Sequence, residues 1–323
     1  MRILRGVKRG FIFQALIAIA LIAFLLLQVP LRQITATLGR VSPHWTLLGF
    51  LLFALADALR ALRFRRLLKV NLGFQKLFPI VIIQSFSNTI LPSRLGELSY
   101  FFLLRDRDGV SPTYGLASLF LARLADLLAI FSLFSLSVLS LGAMSDMMLR
   151  LTFTIGFLLA LILAVLIYLV VCKKRASAHL DALLSRAGLS KSVRAMGFQA
   201  GVREVLSGLE AIRSARVFIL TLLFSISIWI LDCSVSYCLI RAVGLSLTAN
   251  QVFYAALVLR LLALLPIHFL GGLGTLDVSW AFFLSLFGVT KQEAISSTLA
   301  THSIFYVYVF LLAAYGFYAL REA

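Results

Sequence analysis

The sequence predicts an all-α polytopic membrane protein with about six full transmembrane helices and two opposed re-entrant helical hairpins. Three observations support this fold class. The 323 residues are 61% hydrophobic and have a mean hydropathy of +1.02. Only 13% of them are charged, about half the fraction found in soluble domains. Finally, long apolar runs alternate with basic segments, and two of these runs are interrupted by proline or glycine, so lipid is the solvent that suits the chain.

Six apolar runs are long enough to cross the hydrocarbon core, which takes about twenty residues. They occupy residues 11–29, 45–63, 114–142, 149–172, 217–242 and 292–319. The one sizeable polar stretch, 173–216, places apolar residues at near-helical spacing among basic ones. This pattern is typical of an amphipathic helix on the cytoplasmic leaflet, although a plain linker explains it equally well. We therefore predict a single integral membrane domain, 1–323, with a first half 1–172, the cytoplasmic linker 173–216 and a second half 217–323.

Two apolar runs are broken and indicate hairpins rather than spans. Residues 77–91 end at Pro92 and a short run follows at 98–104, which predicts a hairpin over 77–104. Residues 251–270 run into glycines and a second run follows, which predicts a hairpin over 251–287, although 251–270 alone could span. Backbone groups freed by proline or glycine cannot be satisfied by lipid. Such breaks must therefore be shielded by protein or line a wet cavity.

The positive charges orient the chain. With both termini in the cytoplasm, most Lys and Arg residues, Arg60 and Arg63 among them, fall on the cytoplasmic side. The outside receives Arg32, Arg40, Arg150, Arg241 and Lys291. This asymmetry follows the positive-inside rule and explains the net charge of +17 without nucleic-acid binding, which we do not expect. The two hairpins then enter from opposite faces, the pattern of an inverted repeat with a site near the midplane. The expected location is a bacterial inner membrane.

Ionisable side chains within spans are candidate functional groups. Arg123 and Asp126 share a helix face and can form an ion pair, with a structural or a functional role. Asp57 and Arg60 have the same spacing near a cytoplasmic end, which favours snorkelling toward the headgroups. Asp232 has no partner nearby in sequence. Arg260 requires a carboxylate or a lipid phosphate to offset its burial.

The two breaks concentrate polar groups. The candidate binding residues at the first break are Asn88, Pro92, Arg94, Gly96 and Glu97. Exposed helix-end N–H groups there can hold an anion, Arg94 can grip a phosphate, and Glu97 can fix Arg94 or accept a proton. A turn whose polar groups satisfy one another is the alternative. The second break contributes Pro266, Gly271, Gly272, Gly274 and Asp277, where glycine permits positive φ or close backbone approach.

Soluble-enzyme and metal constellations are absent from the sequence. The three cysteines and four histidines have no metal-ligand or nucleophile spacing, so we expect no metal and no cofactor. His302 is interpreted as a packed polar side chain rather than a proton relay.

These motifs resemble a known family. Residues 88–97, NTILPSRLGE, followed by Arg123 and Asp126, look like the first-half signature of the flippase-like membrane domain of lysylphosphatidylglycerol synthases. Residues 265–277, LPIHFLGGLGTLD, look like its second-half signature, with Asp277 where the family usually has Glu. The aminoacyl-transferring domain of the full synthases is missing from the sequence up to Ala323, so we do not expect enzymatic activity.

The resemblance implies lipid translocation or lipid binding. The expected partners are membrane lipids with an anionic headgroup, held by Arg94, Arg123 and Arg260 while Glu97, Asp126 and Asp277 balance charge or couple to protons. A membrane enzyme acting on a lipid-linked substrate and a non-catalytic scaffold for lipid-modifying partners remain alternatives. Homo-oligomerisation and the identity of the lipid stay open.

Overall fold

A computed structural model describes residues 20–68, 72–91, 96–108, 112–141, 146–171, 215–263 and 272–322. These residues form α-helices joined by short loops. In chain order the helices are α1 (described over Ala20–Gln28), α2 (Leu31–Gly39), α3 (Pro43–Leu67), α4 (Phe74–Ile90), α5 (Gly96–Asp108), α6 (Pro112–Ser140), α7 (Asp146–Val171), α8 (Ala215–Ala242), α9 (Ala249–Leu262), α10 (Thr275–Leu286) and α11 (Lys291–Glu322).

Five of these helices, α3, α6, α7, α8 and α11, are long and apolar enough to cross a membrane. They confirm five of the six predicted spans and the all-α polytopic fold. The first predicted span, 11–29, is described only from Ala20 onward. There α1 meets α2 at an angle of 85°, and Pro30, the residue before α2, explains the bend because proline removes a backbone donor. The predicted linker 173–216 lies outside the described residues except for its last two positions, which begin α8.

Both predicted breaks separate two short helices. Helix α4 ends at Ile90 and packs against α5, which starts at Gly96. Helix α9 ends at Leu262 and packs against α10, which starts at Thr275. With 14 residues, α9 is shorter than the roughly twenty needed to span. The paired short helices are those expected of the two hairpins.

The order of a long helix, a broken pair and a long helix occurs twice, as α3 to α6 and as α8 to α11. The helix contacts repeat with it. Helix α3 packs on α4 as α8 packs on α9, α4 packs on α11 as α9 packs on α6, and α6 packs on α8 as α11 packs on α3. Reciprocal contacts of this kind are expected of an internal repeat.

Helices α3 and α8 form the centre of the molecule and run antiparallel. At one end the Ser42 amide donates to the Ala242 carbonyl over 2.9 Å, and at the other Arg63 Nη1 donates to Ser225 Oγ over 2.7 Å. Corresponding helices of an inverted repeat must point in opposite directions through the membrane. The central pair meets this requirement.

Small residues let the helices approach closely. Gly49 on α3 faces Tyr308 and Cys238, and Gly316 on α11 faces Ile82 of α4. Glycine at such contacts is typical of membrane helix packing, where van der Waals contact replaces the hydrophobic effect. Large apolar side chains point outward instead, among them Leu139, Phe153 and Phe157, as expected of a lipid-facing surface.

Candidate functional site

The first break is closed by a charge network that we call the first-break network: Arg63, Glu97, Arg123 and Asp126. Arg123 Nη2 donates to Glu97 Oε1 over 2.5 Å, and its Nη1 donates to Asp126 Oδ2 over 3.4 Å. The predicted Arg123–Asp126 ion pair is therefore confirmed. Since Glu97 lies in the first turn of α5, the network ties the second arm of the broken pair to α6.

The inner end of this network is buried between α3, α6 and α8. Arg63 Nη1 donates to Asp126 Oδ1, and the Trp229 indole donates to the same oxygen over 3.2 Å. Arg63 and Asp126 are only 4% and 5% exposed. Two guanidinium groups face two carboxylates, so the network is charge-balanced. From the sequence, Arg63 was placed at the cytoplasmic side and its ion pair with Asp126 was not predicted. The position of Arg63 inside the predicted span 45–63 was the sequence feature that could have indicated a buried partner.

Gly96 sets the contact between the two arms of the first break. A Cβ at this position would overlap the backbone of Ser87 and Asn88, so only glycine allows α5 to begin against the end of α4. Asn88 Oδ1 is buried there and accepts no hydrogen bond from the described residues. Pro92 and Arg94, which were predicted to serve this break, lie outside the described residues.

A second charge cluster lies between α3, α4 and α8, and we call it the Asp57 cluster: Asp57, Arg60 and Asp232. Arg60 Nη1 donates to Asp57 Oδ1 over 2.7 Å, and its Nη2 donates to Asp232 Oδ2 over 2.5 Å. Ser85 of α4 also donates to Asp57 Oδ1, over 2.9 Å. The snorkelling interpretation of Asp57 and Arg60 is wrong, because Asp57 is 1% exposed and Arg60 turns inward to α8.

The second break borders a partly open cleft of about 140 Å³ between α8, α9, α10 and α11. Each of these four helices contributes lining residues: Ser236, Leu239, Ile240, Ala256, Leu259, Arg260, Leu276, Asp277, Trp280, Thr298, Thr301, His302 and Phe305. Arg260 is half-buried in this cleft. Among the described side chains, none forms an ion pair or hydrogen bond with it.

Asp277 and His302 form the polar wall of the cleft. His302 Nδ1 and Asp277 Oδ1 are 2.5 Å apart, and the Gly274 amide donates to Asp277 Oδ2 over 2.9 Å. Asp277 therefore caps the start of α10 while it holds the imidazole. His302 also stacks on Tyr306, with ring centroids 4.9 Å apart, so it is a packed polar side chain as expected and also lines the cleft.

Glycine and threonine complete the second break. Gly272 and Gly274 adopt φ values of 91° and 79°, which confirms the expected positive φ, since other residues rarely adopt this conformation. Thr298 lines the cleft and is 2% exposed, yet its hydroxyl has no hydrogen-bond partner among the described residues. Pro266 and Gly271 fall outside those residues.

Comparison with known proteins assigns the chain to a family. The family model for the lysylphosphatidylglycerol synthase TM region matches residues 11–313 of the chain. The chain belongs to this family. It is 25% identical to the UPF0104 membrane protein MJ1078 of Methanocaldococcus jannaschii over 73% of the chain and 95% of that protein.

A second relative is longer. The chain is 24% identical to the glycosyltransferase AglD of Haloferax volcanii over 90% of its own residues. It spans only about half, 51%, of that protein. The chain therefore matches only part of that protein.

Within this member of the family, the predicted site residues separate into two groups. Glu97, Arg123 and Asp126 gather at the first break and do not line the cleft. Arg260 and Asp277 line the cleft together. Within the described ranges no three His, Cys, Asp or Glu side chains form a metal-binding group. Among the described residues, the cleft offers a cation and a hydroxyl without partners and an imidazole, a set that suits an anion with hydrogen-bonding substituents.

Proposed function

We propose that this protein binds the anionic headgroup of a lipid in the cleft between α8 and α11 and moves that lipid across the membrane. The observation that carries the proposal is Arg260, a half-buried guanidinium that faces the cleft and pairs with no described side chain. A cation at membrane depth is unfavourable unless it meets an anion. A phosphate offers the bidentate geometry that a guanidinium prefers.

The rest of the cleft is suited to a headgroup. Thr298 supplies a buried hydroxyl that no described residue bonds and that can therefore bond a ligand oxygen. The Asp277–His302 pair faces the same space. Trp280 and Phe305 supply apolar walls. A lipid headgroup enters such a cleft while its acyl chains stay among the lipid-facing helices.

The family and the charge distribution support the membrane setting. The relatives include a protein named only as a membrane protein and a protein named as a glycosyltransferase. The distribution of Lys and Arg favours both termini in the cytoplasm and the hairpins entering from opposite faces. Since the sequence holds no nucleotide-binding motif, movement would be passive or coupled to an ion gradient.

Lipid movement in proteoliposomes tests the proposal. Purified protein is reconstituted with fluorescent phosphatidylglycerol, and a membrane-impermeant quencher reports the fraction of label that reaches the outer leaflet. We expect Arg260→Ala to lower the rate at least about tenfold, which corresponds to the loss of roughly 1.4 kcal/mol or more. Arg216→Ala is the matched control, since Arg216 is exposed at the start of α8 and lies outside the cleft. Equal rates for Arg260→Ala and the wild type would contradict the proposal.

A second function is favoured by one observation. Asp277 holds His302 at 2.5 Å inside the cleft, and a carboxylate that orients an imidazole is a common general-base arrangement. The alternative is therefore an intramembrane enzyme acting on a lipid-linked substrate. Mass spectrometry after incubation with native lipid extract separates the two, because an enzyme produces a lipid of changed mass that His302→Ala does not form, whereas a transporter returns all lipids unchanged.

A further inference from the structure

The Asp57 cluster has an unequal number of buried charges. Asp57 and Asp232 are 1% and 5% exposed, and both bond to the same guanidinium, that of Arg60. One guanidinium neutralises only one of the two carboxylates. The first-break network, by contrast, has as many guanidinium groups as carboxylates.

One carboxylate oxygen in the cluster is unsatisfied. Asp57 Oδ1 accepts from Arg60 and Ser85, but the buried Oδ2 accepts no hydrogen bond from the described residues. An uncompensated charge away from water is far more unfavourable than a neutral group of the same shape. A proton on this carboxyl would remove the uncompensated charge.

We propose that Asp57 and Asp232 hold one exchangeable proton between them, carried on Asp57 Oδ2, and that this proton couples the cluster to lipid movement. With the proton bound, one carboxylate and one guanidinium remain, so the cluster is neutral. Without it, the junction of α3, α4 and α8 carries a net negative charge. Both carboxylates bond to the guanidinium of Arg60, so the proton belongs to the cluster. The coupling, but not the proton site, rests on the proposed function.

The elements packed against α3 bring further titratable groups, among them the buried thiols of Cys233 and Cys238 on α8. Helix α6 brings Asp126, which bonds to Arg63. Helix α11 brings His302, which bonds to Asp277. Helix α4 contributes the Ser85 hydroxyl, which does not titrate in the physiological range. Arg60 is therefore the cation that faces Asp57, and Asp232 is the acid that competes for it.

The cluster lies one helical turn from the cleft. Ser236 lines the cleft and donates its hydroxyl to the backbone carbonyl of Asp232 over 3.2 Å. Since α8 carries both residues, a displacement of α8 on loss of the proton would move the cleft wall. Ser85 links the same cluster to α4, the first arm of the other broken pair. The proton would thus act at the joint between the two repeats.

Infrared spectroscopy of the purified protein tests the proton site without any transport assay. A protonated carboxyl gives a C=O stretching band that carboxylates lack and that shifts in D₂O. We expect this band in the wild type at neutral pH and its loss in Asp57→Asn. We also expect its loss in Asp232→Asn, because one carboxylate facing one guanidinium needs no proton. A role in packing alone would not remove the Asp57 band when Asp232 is changed.

A control variant and a second test variant complete the infrared experiment. Glu293→Gln is the control, since Glu293 is exposed at the start of α11 and should leave the band intact. If Asp57→Asn does not fold, Asp232→Asn gives the answer alone. A wild-type spectrum with no such band overturns the proposal, as does a band that Asp232→Asn retains.

The coupling is tested with a pH gradient across proteoliposomes. We expect the gradient to change the rate of phosphatidylglycerol movement in the wild type and to have no effect in Asp57→Asn. Arg260→Ala should lose lipid movement yet keep the infrared band, so failure of the transport function and failure of the proton site give different results. A wild type that moves lipid at a rate independent of the gradient overturns the coupling.

Discussion

The two broken helix pairs have a similar arrangement of helices but different charged side chains. At the first break, a carboxylate in the opening turn of α5, Glu97, bonds to Arg123 on α6. At the second, a carboxylate in the opening turn of α10, Asp277, bonds to His302 on α11. In the repeat α10 corresponds to α5 and α11 to α6, so histidine occupies the place where the first half has arginine.

Among the described residues, the consequence is an unpaired cation at the second break. Arg123 is bonded to two carboxylates, and Arg63 completes the first-break network. Arg260 at the second break faces a cleft and has no partner among the described side chains. We infer that a similar backbone arrangement serves two purposes: the first break holds helices together, and the second keeps Arg260 available for the proposed ligand.

The largest expected effect is a loss of stability when an ion pair of the first break is removed, with little loss when Arg260 at the second break is changed. Asp126→Ala leaves Arg63 buried without its carboxylate, so we expect the free energy of unfolding to fall by about 3–5 kcal/mol. Arg260→Ala removes no ion pair and should change it by less than about 1 kcal/mol. Unfolding in mixed detergent micelles, followed by circular dichroism, measures both.

Glu293→Ala on the exposed end of α11 controls for the loss of any acidic side chain. Similar destabilisation by Asp126→Ala and Arg260→Ala would mean that both breaks are structural, and the contrast between them would fail.

The helices of both halves could be predicted because their signal is local. Apolar runs of span length and their interruptions by Pro92 and by the glycines near Gly272 are visible without any knowledge of packing. The positive φ at Gly274 was one of the two roles predicted for the glycines at this break, beside close backbone approach. Local sequence therefore predicted five of the spans and the position of the breaks.

The charge partners could not be predicted because they depend on which helix faces meet. Asp232 pairs with Arg60 across 172 positions, and nothing near Asp232 in the sequence indicates this. The error over Arg60 and Arg63 has a specific cause: α3 continues to Leu67, beyond the predicted end at residue 63. Both arginines are therefore surrounded by helices rather than placed at a membrane surface.

A smaller effect is expected from the glycine that joins the arms of the first break. In Gly96→Ala the new Cβ would overlap the backbone of Asn88, and backbone must move to make room. We expect a loss of about 1–3 kcal/mol in the same unfolding assay. Gly73→Ala is the matched control, because a Cβ there meets no atom within 4 Å. If both variants unfold alike, the close approach of α4 and α5 does not contribute to stability.

The smallest effects on stability are expected when the carboxylate of either break is replaced by an amide, but the two replacements should differ in their effect on lipid movement. Glu97→Gln weakens an ion pair with Arg123 that is partly exposed, which is worth at most about 1 kcal/mol. Asp277→Asn keeps an oxygen to accept from the Gly274 amide, so the helix cap persists and the loss should again stay near 1 kcal/mol or below. Lipid movement should differ, however, because Asp277→Asn removes the charge that orients His302 inside the cleft, whereas Glu97 lies outside it. Equal transport rates for these two variants would show that the carboxylate at the second break serves the helix start and not the ligand.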